Sequence, residues 1–148
     1  VGHGGLLYGI MRGFESMLRA GTIQQEPQYI GVQAANCAPL VDAYQRGSVE
    51  TVEPSIQETA AEGVKVTKPA RGKAILQRML TGKGRMIAID ESDLLSAYWE
   101  SAGKGFFMEP TSALVWAAAK TGLQDFKTPV VAVITGSGYK SSIQKSKE

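Results

Sequence analysis

The chain has 148 residues, 43% of them hydrophobic and 20% charged, with 16 Lys and Arg against 14 Asp and Glu. That length buries the core of one ordinary domain, and a formal charge of +2 is too small to argue for nucleic acid or an anionic membrane surface as a partner. A single cysteine, Cys37, and a single histidine, His3, leave no disulfide frame and too few ligands for a zinc site. No apolar run approaches the roughly 20 residues that span a bilayer, no leader pattern is evident, and a cytoplasmic location is the expectation.

The chain opens on VGHGGLLYG. Leu7, Ile10, Phe14, Met17 and Leu18 recur at helical spacing, and Gly21 supplies a stop. Gly5, Gly9 and Gly13 form a second stripe on that helix. Each lowers helix propensity by about 1 kcal/mol, so the expectation is that another backbone packs closely there. Residues 29–34 (YIGVQA) read as a buried strand, 38–46 as a short helix ended by Gly47, and 48–68 as a polar surface excursion. Pro69 starts a helix carrying Ile75, Leu76, Met79 and Leu80.

Residues 85–89 (RMIAI) form the next expected strand. Asp90 follows as an N-cap with Asp93 as a weaker capping-box partner, ahead of a helix lined by Leu94, Leu95, Tyr98 and Ala102. Residues 106–108 read as a short strand, and Thr111 as the cap of a helix with Leu114, Val115 and Ala118. The continuous apolar run at 129–134 (PVVAVI) has the signature of a central parallel strand. It ends in TGSG, and residues 140–148 read as a frayed polar tail. The alternation gives one α/β unit over residues 1–148, a three-layer fold with a mainly parallel sheet and helices on both faces.

Ligands of such sheets bind at the carboxyl ends of the strands, where two glycine turns fall. GHGG precedes a helix, so its backbone N–H groups can converge on an anion with the help of the helix dipole. The nucleotide motifs fit poorly. No Gly-Lys-Ser/Thr closes a P-loop, and Leu7 stands where a dinucleotide fingerprint starting at Gly2 needs glycine or alanine. On motif alone, GxGG ahead of a helix fits a phosphate site and a plain tight turn equally.

GHGGLLYGIMRGF, IGVQAANCAPL, GFFMEPTSA and VVAVITGSGYK, in that order and spacing, resemble threonine synthase, of the fold-type II pyridoxal phosphate family. The resemblance covers nearly the whole chain and implies the carboxyl-terminal part of a cofactor-binding large domain. It implies pyridoxal 5'-phosphate as cofactor. The implied reaction is a lyase step of threonine biosynthesis, from O-phosphohomoserine and water to threonine and phosphate. Gly2, His3, Gly4, Gly5 and Leu6 match the phosphate loop, with His3 departing from the asparagine often found there; a solvent-facing His3 is favoured over a catalytic one. Thr135 matches the position whose hydroxyl bonds the pyridine nitrogen, which a neutral hydroxyl would leave largely unprotonated. A strand-end cap is the plainer role for Thr135, and Ser137 is the second choice for the contact.

No residue matches the Schiff-base lysine, so no catalytic residue is assigned. The implied partner is a missing amino-terminal half, and this chain alone is expected to be inactive. An uncovered sheet edge would favour a homodimer or other oligomer. The alternatives are another fold-type II enzyme, such as a threonine/serine dehydratase or a cysteate synthase, or a non-catalytic half-protein that docks a partner chain. Glu109 reads as a charge near a helix start, Glu91 and Asp93 as capping residues, Cys37 as packed, and Trp99 and Trp116 as core or interface residues.

Overall fold

A computed structural model describes residues 1–121 and 129–140. Tyr29–Ala34 (β1) and Gly84–Ile89 (β2) pair in parallel, with Tyr29 opposite Gly84 and Ala34 opposite Ile89. Side chains alternate between the faces of such a ribbon, and both faces here are apolar. Ile30, Val32, Ala34, Ile87 and Ile89 look one way, onto helices Glu91–Gly103 (α4) and Pro110–Thr121 (α5). Tyr29 and Met86 look the other way, onto Gly5–Arg19 (α1), Pro39–Gln45 (α2) and Gly72–Arg78 (α3). The result is the expected α/β arrangement of three layers around a parallel sheet. Met11, Leu40, Ile75 and Leu76 are fully buried on the second face, each worth about 1.5–3 kcal/mol relative to exposure.

Two glycines set how closely these layers meet. A Cβ on Gly84 would stand 2.0 Å from the Tyr29 carbonyl oxygen across the strand pair, and one on Gly31 would stand 2.4 Å from the Met86 sulfur. Gln33 solves a different problem. Its side chain is 0% exposed, and Oε1 accepts hydrogen bonds from the main-chain N–H groups of Leu40 (2.9 Å) and Val41 (3.3 Å). Those are first-turn donors of α2, which no cap residue of its own satisfies. Gln33 Nε2 donates to the Val1 carbonyl at 2.9 Å, and the Val1 main-chain nitrogen bonds the Val32 carbonyl. The opening residues are thereby laid along the carboxyl-terminal half of β1.

The expected helix at Pro69 starts at Gly72 and runs into a π-type turn, Met79–Lys83, in which Gly82 takes a positive φ. Asp90 stands at the N-cap of α4 without a side-chain cap bond; Glu91 Oε1 instead accepts from the Ala60 N–H at 2.7 Å. Nothing lies within 4 Å of where a Cβ would stand on Gly5, Gly9 or Gly13, so the glycine stripe faces open space and not a packed backbone. The largest correction concerns residues 129–134. They form no strand and are exposed, Val131 at 83%. Among the described residues the sheet has two strands, β1 and β2, and the run pairs with the outer edge of neither. A continuous apolar stretch reports the burial a strand requires, not the strand that provides it. Residues 106–108 likewise form no strand; Met108 and Ser137 make one antiparallel bridge. Lys140 is exposed, and residues 141–148 of the expected tail lie outside the described residues.

A charged cluster fastens α1 to the rest. Arg78 bonds Glu15 of α1 and approaches Glu26 at 3.5 Å; Lys83 bonds Glu26 at 2.6 Å, and the Tyr29 hydroxyl donates to Glu26 at 2.9 Å. The Lys83 hydrogen bond leads in holding the Glu26 carboxyl below its usual 4.5. Its contribution to stability is therefore present above that pH and lost as pH falls through the lowered value. Glu26→Gln is expected to lower the thermal midpoint at neutral pH and to converge with the parent in acid, as calorimetry across that range checks. Gly84→Ala is expected to cost roughly 3 kcal/mol, the upper range for overpacking, read from urea unfolding, because a backbone carbonyl cannot rotate away.

Candidate functional site

The glycine loop sits where the sheet delivers it. Gly4 is buried with φ 87°, and α1 starts at Gly5; the first helical bond runs from Tyr8 N–H to the Gly4 carbonyl at 3.0 Å. No side chain caps this end and no acidic residue stands in its first turn. The amides of Gly5, Leu6 and Leu7 are thus the unpaired donors that every helix start carries, and Gly5 adds open space in front of them. Gly4 is held from behind: a Cβ there would meet Ile75 Cδ1 at 2.5 Å and Arg71 Cβ at 3.2 Å. Arg71 donates its main-chain N–H to the His3 carbonyl at 3.0 Å, and its guanidinium lies 5.9 Å from the Tyr8 ring centroid. His3 and Leu6 are exposed. The arrangement suits an anion, for which the helix terminus contributes typically 0.3–1 kcal/mol.

A relay of close contacts joins this loop to Thr135. A Cβ on Gly2 would stand 3.3 Å from the Gly63 carbonyl oxygen, and one on Gly63 would stand 2.9 Å from Thr111 Oγ1. Ser112, next in α5, is 2% exposed. Its Oγ accepts the N–H groups of Thr135 (3.1 Å) and Gly136 (3.2 Å) and lies 3.2 Å from Thr135 Oγ1. Thr135 Oγ1 donates to Glu109 Oε1 at 3.3 Å. The Glu109 N–H donates to the Gly136 carbonyl at 3.0 Å, and the Glu109 carbonyl receives the N–H groups of Ser112 and Ala113 at the start of α5. Beside Thr135 opens a hollow of about 330 Å³ lined by Phe106, Phe107, Met108, Ile134, Gly136 and Ser137.

The profile of the pyridoxal-phosphate dependent enzyme family matches residues 1–136. The chain belongs to that family. It is 28% identical over 156 aligned residues to a threonine synthase of Methanocaldococcus jannaschii, covering 100% of this chain and 38% of that protein. It is 31% identical over 146 residues to a threonine synthase of Mycobacterium bovis, covering 95% and 38%. The chain thus spans 38% of the length of these relatives. A crystal structure of T.th. threonine deaminase superposes with a TM-score of 0.64 at 20% identity, over 86% of this chain and 43% of that one, a likeness of fold.

The cofactor of this family is pyridoxal phosphate, and the residues present fit its phosphate end. The loop has an uncapped helix start, a glycine whose Cβ would collide with α3, and open space at Gly5. Of the residues singled out in the sequence, Gly2, His3 and Gly4 form the loop and Gly5 and Leu6 the first turn of α1, and Thr135 is tied to the loop through Gly63 and the start of α5. Ser137 Oγ accepts the Tyr139 N–H at 3.3 Å. Sequence reasoning missed Ser112, whose hydroxyl organises the TGSG turn. Nothing local in the EPTS string marks it, because the turn it serves lies 23 and 24 positions later. Cys37 is packed at 1% exposure, where burial raises its thiol pKa. Among the described residues no group of three or more His, Cys, Asp or Glu could hold a metal, and no helix is long and apolar enough to cross a membrane.

Inorganic phosphate is expected to shift the amide resonances of residues 2–6 in NMR titrations, weakly. Gly4→Val should abolish that response, by strain at positive φ and collision with Ile75. His3→Asn should leave it within about twofold, since main-chain donors do not depend on the side chain.

Proposed function

We propose that this chain supplies the phosphate loop and the ring-nitrogen contact of a threonine synthase, converting O-phosphohomoserine and water to threonine and phosphate. The observation that carries the reading is the open glycine loop at the carboxyl end of β1, linked through Gly63, Thr111 and Ser112 to Thr135. In this reading the amides of residues 2–6 hold the cofactor phosphate, and the Thr135 hydroxyl meets the pyridine nitrogen. Bound pyridoxal phosphate supplies the electron sink that replacement chemistry on an amino acid requires. Gly4, having no side chain, lets the loop lie against Ile75 of α3, Gly136 lets its turn lie against Glu109, and Ser112 holds the Thr135 backbone in place.

The Schiff-base lysine comes, in this reading, from sequence outside these 148 residues. The partner that completes the site is the part of the enzyme carrying that lysine, and the exposed run 129–134 is the surface that meets it. The names of the relatives support the choice of substrate. The test is a mixture of the 148-residue chain, pyridoxal phosphate and O-phosphohomoserine. The expected result is no threonine and no stoichiometric phosphate from the chain alone, with both appearing when the lysine-bearing part is added. Threonine made by the chain alone would overturn the assignment of the lysine, and ammonia with a 2-oxo acid from the completed enzyme would move it to a dehydratase.

A further inference from the structure

The glycine loop is held from one side by β1, through Gln33 and the Val32 carbonyl, which fasten Val1. Its other support is one continuous segment, residues 60–71, which runs behind it. The vacant Cβ position of Gly2 lies 3.3 Å from the Gly63 carbonyl oxygen, 3.4 Å from Val64 Cα and 3.3 Å from Val66 Cγ2. Further along, the Arg71 N–H donates to the His3 carbonyl at 3.0 Å. Gly2 and His3 thus rest on this segment, and its placement sets theirs.

Apolar burial of Ala61 and Val64 draws the segment onto the face shared with α4 and α5, but burial has no direction of its own. The ion pairs are weak anchors. Lys65 pairs with Glu58, Lys68 with Glu53 and Lys73 with Glu50, an antiparallel order that zips residues 65–73 to 50–58. In each pair at least one side chain is well exposed, so salt screens it. These pairs also join the segment to another surface stretch and not to the sheet. The start of the segment is tied to the sheet by Glu91, which follows the end of β2. Glu91 Oε1 accepts the Ala60 N–H at 2.7 Å. A main-chain N–H only donates and a carboxylate only accepts, so this bond has one direction. The first turn of α4 favours the negative charge. Glu91 Oε2 is buried with no partner among the described residues, so the hold on Ala60 is made by the other oxygen alone.

We propose that Glu91 is a positioning residue for the phosphate site. By holding Ala60 at the carboxyl end of β2, it fixes the segment on which Gly2 and His3 rest, and with them the amides that receive the cofactor phosphate. This rests on the phosphate site of the proposed function and deepens it. The loop then has a support from each strand, Gln33 from β1 and Glu91 from beyond β2. What counts at residue 91 is reach and an acceptor, not charge. An aspartate keeps the charge but is one methylene too short for the bond, whereas a glutamine keeps the acceptor and loses the charge.

The test is an NMR titration of the 148-residue chain with inorganic phosphate at constant ionic strength, following the amides of residues 2–6, with thermal midpoints measured alongside. Glu91→Asp is expected to weaken phosphate binding roughly three- to tenfold, the scale of coupling through residues that do not touch the ligand. It should also move the Gly2 and Gly63 amide resonances in the ligand-free chain. Glu91→Gln should bind phosphate as the parent does. Glu91→Ser, which suits a first helical turn, carries the same expectation as Glu91→Asp if the latter does not fold. Glu26→Gln is the control for plain destabilisation. It loosens contacts of Tyr29 and Lys83 at the opposite ends of the strands, and it should lower the thermal midpoint while leaving phosphate affinity unchanged. Parent-like affinity in Glu91→Asp, a loss in Glu91→Gln equal to that in Glu91→Asp, or an equal loss in Glu26→Gln would overturn the proposal. Amides of residues 2–6 that respond in the parent and equally in Glu91→Asp overturn only the role of Glu91. Silent amides in the parent overturn the phosphate site itself and this inference with it.

Discussion

The constraint on which the molecule depends is the parallel pairing of β1 with β2. The two strands are adjacent in space and 49 residues apart in sequence, counting from Ala34 at the end of one to Lys83 before the other. That connection has to return over a face of the pair. Both faces of the ribbon are apolar, so both must be covered. α1, α2 and α3 cover one and α4 and α5 the other. Gly84 and Gly31 allow the close approaches at Tyr29 and Met86. The glycine loop inherits its position from this pairing, because the Val32 carbonyl and the Gln33 side chain hold Val1.

The site follows from the ends of these elements and not from their middles. Residues 2–6 gain their donors because a helix begins there, and Thr135 gains its orientation because α5 begins nearby. Small residues recur at each junction: Gly2 against Gly63, Gly63 against Thr111, Gly136 against Glu109. Each removes a side chain where a backbone, a hydroxyl or a carboxylate has to pass. Such close approaches leave little room for adjustment, in keeping with the role proposed for the main-chain groups of residues 2–6.

Much of this was legible in the sequence. YIGVQA and RMIAI gave away the two strands by unbroken apolar content between polar segments, and the periodic positions of α1, α4 and α5 gave away their helices. The glycine loop was legible as a turn before a helix, and its chemistry only through resemblance. Three features were not legible, each because it depends on a contact distant in sequence. Gln33 reads as one polar residue in a strand, and nothing local says that it satisfies α2. Ser112 and Glu109 read as ordinary residues of a helix start, because the turn they organise lies 23 to 27 positions later. The run 129–134 reads as a strand by composition, but pairing is a property of two segments, and among the described residues no strand pairs with it.

Gln33 carries one more consequence. Its amide bridges the residue just ahead of the glycine loop and the first turn of α2, with no exposure to water. Loop, strand and helix are therefore fastened at a single point, and none of the three can shift without breaking a dry hydrogen bond. The stiffness of the glycine loop is borrowed from the interior. A change on the far side of α2 would reach the glycine loop as a displacement, not as the loss of any of its main-chain donors.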